Sequence, residues 1–151
     1  VRRAILLALL ASPALADPAA DAATLDACVE AAPTVQAARA DCVEALAIPC
    51  TALPENQEPE GLAVCFRREV AAWEALMQAD LARLAAPLDG AQRTALDTSQ
   101  VDWATHRDSA CGFIAVIVGD VMAEWWIPAC RLRKTAERVL DLRSLIGMAG
   151  E

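Results

Sequence analysis

The chain has 151 residues, 35 of them alanine, and sets 13 Lys and Arg against 21 Asp and Glu for a formal charge of -8. Length allows one domain, and an apolar fraction of 56% with only 4% aromatic means small aliphatic side chains of good helix propensity. With a single lysine and no basic cluster, the composition excludes nucleic-acid binding as a first reading, because that depends on cationic side chains displacing counterions.

Residues 1–16 read as a secretory signal peptide: Arg2 and Arg3, an apolar run from Ala4 to Leu10, and the small-residue site Ala14-Leu15-Ala16. The run is too short to span a bilayer. Cleavage after Ala16 is expected, placing the chain in the periplasm or outside the cell with no membrane span in the mature part. That part has 135 residues and a charge of -10.

Residues 17–60 carry nine acids and one base, Arg39, so this third holds a net -8, while residues 61–151 hold only -2. Two short helices fit here, near Ala22 to Ala32 and Thr34 to Ala47, with Pro33 and Pro49 as breaks. The stretch from Pro49 to Pro59 reads as a loop. Residues 61–151 read as a helical body forming one domain with this acidic segment. A long helix from Gly61 to Ala86 carries Phe66, Val70, Trp73, Met77, Leu81 and Leu84 on one stripe.

Asp89 is a natural N-cap for the next helix, which runs past Cys111 with Leu96, Trp103, Ala110, Ile114 and Ile117 on a shared face. The apolar stretch from Cys111 to Trp126 is interrupted by Asp120 and Glu124 and reads as core or turn. Pro128 fits the first turn of a last helix with Leu132, Thr135, Val139, Leu142 and Ile146 on its stripe, closed by Gly147 and Gly150. No segment has a sustained period of two. The expected fold is an all-α small bundle of four to five helices.

Six cysteines, Cys28, Cys42, Cys50, Cys65, Cys111 and Cys130, are an even number in a chain read as exported, which favours disulfides. Fifteen connectivities are open to six cysteines. Sequence proximity suggests Cys28 with Cys42, Cys50 with Cys65, and Cys111 with Cys130. No CxxC occurs, and the only histidine, His106, lies five helical positions from Cys111, where the two side chains point about 140° apart. With no GxSxG, HExxH or glycine-rich phosphate loop, neither an enzyme nor a cofactor or metal site is expected. A thiol oxidoreductase would require a reactive thiol. Trp73 and Trp103 sit on apolar stripes, whereas adjacent Trp125 and Trp126 cannot both face one core, so one of them is a candidate partner-binding anchor.

The run from Ser99 to Cys111, with Gln100, Trp103, Arg107 and Asp108, resembles the AQxxWxxYRDxxC core of the LprI-type lysozyme-inhibitor N-terminal-domain family. Cys130, Thr135 and Arg138 are similar to its CxxxxTxxR ending, and Cys65 to Leu76, with Glu69, Trp73 and Glu74, to its CLxxExxxWDxxLNxxY helix. The resemblance spans residues 28–142. His106 replaces the family's aromatic, and Gly119 to Pro128 replaces a glycine-rich turn. The resemblance implies a small, helical, disulfide-linked exported bacterial protein, with lysozyme inhibition as the namesake's activity. A basic protein such as lysozyme is then the expected partner, steered by the acidic third. The competing expectation is an envelope accessory protein binding another component through Trp125 and Trp126. Arg107 is expected to pair across helices with a carboxylate such as Glu69 or Glu74, and Gln100 to bridge helices through its amide.

Overall fold

The computed structural model describes residues 17–149; the signal-peptide reading of residues 1–16, and Gly150, lie outside them. Six helices follow in order: α1 Pro18–Ala31, α2 Val35–Asp41, α3 Ala47–Thr51, α4 Pro59–Ala85, α5 Gly90–Val118 and α6 Asp120–Ala149, with a 3-10 turn at Pro54–Asn56. There is no strand among the described residues. The chain is all-α, as its periodicity predicts.

α4 and α6 form the most extensive helix pair. The α4 stripe buries Phe66, Trp73 and Met77 against Leu132, Val139 and Leu142 of α6, and full burial of each large side chain is worth about 1.5–3 kcal/mol. The N-terminal helices lay Ala22, Leu25, Cys42 and Ala47 over this pair. α5 differs. Its N-terminus is fixed by a capping box in which Asp89 accepts from the Gln92 backbone and Gln92 accepts in return, yet Cys111 is its only buried residue.

Three disulfides join Cys28 to Cys42, Cys50 to Cys65 and Cys111 to Cys130, with Cα separations of 5.8, 5.6 and 5.6 Å. Each links neighbours in sequence. The first ties α1 to the end of α2, the second α3 to α4, and the third α5 to α6.

Several boundaries differ from the expected ones. The helix expected to reach Ala47 stops at Asp41, because Glu44 turns the chain at φ 70. Pro49 does not break a helix. It lies in the first turn of α3, where a missing N–H costs no intrahelical bond. The loop expected between Pro49 and Pro59 holds the rest of α3 and the 3-10 turn. That turn packs so closely on α4 that a Cβ at Gly61 would meet the Asn56 Cα at 2.6 Å.

Pro128 lies well inside α6 instead of opening it. The helix begins eight residues earlier, directly after Gly119, whose φ of 76 and ψ of 166 reverse the chain in a conformation open essentially to glycine alone. The bond lost at Pro128 is offset locally by burial of Ala129 and Leu132 and by the bridge at Cys130. Gly147 does not end the helix either. It is exposed within α6, where a glycine costs only about 1 kcal/mol relative to alanine.

Candidate functional site

The residues of the sequence motif assemble where α4, α5 and α6 face one another. Arg107 on α5 donates from Nη1 to Glu74 Oε1 at 3.1 Å and to Thr135 Oγ1 at 3.2 Å, and from Nε to Asp108 Oδ1 at 3.0 Å. Asp108 also pairs with Arg131 at 3.3 Å. One turn away, Arg138 of α6 donates to Gln100 Oε1 at 3.1 Å, and Gln100 Nε2 donates to Met77 Sδ on α4 at 3.3 Å. The indole of Trp103 lies near both guanidiniums, at 5.0 Å from Arg107 and 5.8 Å from Arg138, close enough for cation–π attraction. Gln100, Trp103, Arg107, Asp108, Thr135 and Arg138 are thus brought together. They form a polar clasp holding α5 to its neighbours.

Of the two carboxylates considered for Arg107, Glu74 makes the contact and Glu69 is committed elsewhere. Glu69 is fully buried. Its Oε1 accepts from the Glu44 backbone at 2.7 Å and from Trp73 Nε1 at 2.9 Å, and its Oε2 accepts from the Leu46 and Ala47 backbones at 2.9 and 2.7 Å. One carboxylate therefore satisfies three backbone donors of the turn leading into α3 and the indole of the core tryptophan. Charge-assisted bonds of this kind are the strong ones. Sequence reasoning missed this role because the partners are backbone groups 22 to 25 residues away.

Part of the acidic third is spent on assembly. Asp21 takes a bidentate pair from Arg68, Asp26 pairs with Arg143, and Glu44 pairs with Arg133. Donation of its hydrogen bonds to Asp21 holds the Arg68 guanidinium above the ordinary arginine range, ahead of a smaller opposing effect of burial. Burial pushes Arg143 down, but its bonds to Asp80 and Asp26 together outweigh that and raise it. The charged form of both guanidiniums is favoured, and the stability that this shift adds is lost as pH rises through those raised values.

The stretch from Cys111 to Trp126 turns at Gly119 and buries only Cys111 and Ala123. Phe113, Val116, Ile117, Val121 and Met122 are exposed, the middle three by 76%, 68% and 69%. The shared face expected for α5 holds as far as Ile114, whereas Ile117 stands in solvent. The reason is that α5 packs its backbone closely only on α6, and a helix with one partner buries only the stripe facing it. Trp125 is half-buried and stacks on Phe66 at 6.2 Å, while Trp126 meets it edge-on at 5.4 Å and is exposed. Beside this tip a groove of about 750 Å³ runs between α4 and the α5–α6 hairpin. Its apolar floor includes Val70, Ala115, Ala123 and Ile127, and its walls carry both signs of charge, Asp120 and Glu124 together with Arg67, Arg107 and Arg131. The signal for the tip was legible as a dense apolar run around one glycine. Of the two expectations, core or turn, the turn holds at Gly119, and periodicity does not say how many neighbours a helix has.

Every cysteine is in a disulfide, including Cys111, and His106 is exposed, so the described residues contain no cysteine–histidine nucleophile. Among the described residues no group of His, Cys, Asp or Glu is placed to hold a metal ion, and no helix is long and apolar enough to cross a membrane.

The described residues thus form a disulfide-stapled helical bundle with a polar clasp, an exposed apolar tip and an open groove. Residues 50–142 match the family model described as Lysozyme inhibitor LprI, and the chain belongs to that family. Comparison with curated proteins and with solved structures finds no match. The match takes in two of the disulfides and the whole clasp. It leaves out α1, α2 and the Cys28–Cys42 bridge. Met77 and Asp80, on the helix that carries the matched Glu69 and Trp73, both lie in contacts that join helices, to Gln100 and to Arg143.

Proposed function

We propose that the chain is an exported, non-enzymatic binding protein that inhibits a basic lysozyme. Family membership carries this reading, and the chemistry of the molecule supports it. Three disulfides suit an oxidising compartment outside the cytoplasm, in keeping with cleavage after Ala16 and a periplasmic or secreted location. Six acids of residues 17–60 make no ion pair among the described residues: Asp17, Glu30, Asp41, Glu55, Glu58 and Glu60. The charge of -10 left after cleavage removes Arg2 and Arg3 from the -8 of the full chain steers encounter with a cationic enzyme and makes it sensitive to salt.

The experiment is lysis of a bacterial cell suspension by a basic animal-type lysozyme with and without the purified protein. Slowed lysis at low salt that recovers as salt is raised is expected. No slowing at micromolar excess in low salt rules the reading out. Trp126 supplies the observation behind a second reading, an envelope accessory protein with another partner, since an exposed indole is a common interface anchor. Recovery of the same envelope partners by the wild type and by a Trp126→Ala variant removes that reading.

A further inference from the structure

Among the described residues thirteen large apolar side chains are exposed, and six of them fall between Phe113 and Trp126. They crowd the end of one helical hairpin. Soluble proteins rarely leave a contiguous apolar patch of this kind without a partner. The hairpin that carries it is closed by Gly119 and stapled at its base by the Cys111–Cys130 bridge, so the tip is held in place before any partner arrives, which lowers the ordering cost of binding.

Charge selects the occupant. From Asp108 to Cys130 there is no Lys or Arg. Asp108 is taken by Arg107 and Arg131, but Asp120 and Glu124 make no ion pair among the described residues; they line the groove beside the tip, which Arg67 of α4 also lines, and they are the charges carried on the tip itself. An anionic lipid surface would be repelled, because apolar segments that bind such membranes carry cations at their polar edge. A second copy would bring like charges together. The complementary surface is apolar and rimmed with Lys or Arg.

We infer that the α5–α6 tip, with Val116, Ile117 and Val121 as its apolar contact and Asp120 and Glu124 as its charged edge, is the face that docks into an apolar cleft on a basic protein. This rests on the proposed lysozyme inhibition and assigns a surface to it. The acidic residues of the N-terminal third then act in long-range steering, and the tip in contact.

The test measures binding and inhibition of a basic animal-type lysozyme by the wild type and two variants. One carries Val116→Ser, Ile117→Ser and Val121→Ser; the other carries Asp120→Asn and Glu124→Gln. The apolar variant is expected to bind about tenfold more weakly or worse, as loss of central apolar contacts does. The charge variant is expected to associate more slowly, with a shallower dependence on salt. Its surface changes leave the apolar tip whole, so it keeps the test valid should the first variant fold poorly. If the wild type inhibits and both variants inhibit equally well, the tip is not the docking face, although inhibition stands. If the wild type neither binds nor inhibits, the functional reading falls and this surface with it. Flotation of the wild type with phosphatidylcholine vesicles, lost in the apolar variant, would identify a membrane as occupant and overturn the proposal. Concentration-dependent dimers lost in that variant would do the same in favour of a second copy.

Discussion

α4 and α5 are helices of nearly equal length, 27 and 29 residues, and both carry an apolar stripe in sequence, but they are held by different forces. α4 is surrounded: α6 lies along it and the N-terminal helices cover it, so that nine of its side chains are buried. α5 buries one. It meets α6 through a disulfide and the Arg107 and Arg138 clasp, and reaches α4 only through long side chains such as Gln100 and Arg107. A stripe becomes core only when a neighbour exists to cover it. Where the neighbour is missing, polar and covalent links do the holding, and the apolar residues left over are free to bind something else.

The sharpest way to break the surrounded side is Glu69→Ala. It strips partners from the Glu44, Leu46 and Ala47 backbone N–H groups and from Trp73, and a donor left unsatisfied in the interior costs about 1–3 kcal/mol. Chemical denaturation should show it, with Glu69→Gln less damaging because one side-chain oxygen still accepts. A loss under 1 kcal/mol would mean that the turn before α3 reforms with water. On the other side, Cys111→Ser with Cys130→Ser removes a bridge across a separation of 19 residues, worth about 3 kcal/mol in the chain-entropy account. Its effect should be local. Amide exchange should accelerate through residues 112–127 while α4 between Cys65 and Met77 stays protected.

Arg107→Ala probes the clasp with a smaller expected loss of about 2 kcal/mol, since it leaves the buried Thr135 hydroxyl and the edge of Glu74 without their donor. Arg107→Lys should recover only part of this, because a single ammonium cannot reach Glu74, Thr135 and Asp108 in the fork geometry that guanidinium provides. A double-mutant cycle with Trp103→Ala measures the cation–π part. Full recovery by lysine would show that the forked contacts are incidental.

Much of this division can be read in the sequence, and some cannot. The α4 and α6 stripes, the Asp89 cap and the pairing of neighbouring cysteines follow from local spacing, which is why they agree with the structure. The motif residues could be named, but the sharing of Arg107 between Glu74 and Thr135 depends on two helices distant in the chain. Glu69 was legible as a helical acid and illegible as a cap for residues 44–47. In the Cys111 to Trp126 stretch, expected as core or turn, the turn stands at Gly119 and burial is confined to Cys111 and Ala123: hydropathy reports what a segment would gain from burial, and only the packing of the other helices decides whether burial is on offer.

The smallest effect expected is on stability at the tip. Val116→Ser and Ile117→Ser replace side chains that are 76% and 68% exposed, so little apolar area returns to water on unfolding, and the change should stay within about 0.5 kcal/mol. The comparison is with Leu132→Ala in the covered part of α6, a fully buried position where truncation costs about 2–5 kcal/mol. Melting of both variants beside the wild type reads the contrast directly. A marked loss from the tip changes would mean that these residues are packed in solution, with the hairpin folded back on the groove and closed to a partner. Equal melting leaves an apolar end that contributes nothing to the fold, and solvation of that end is a standing cost that contact with a complementary surface would remove.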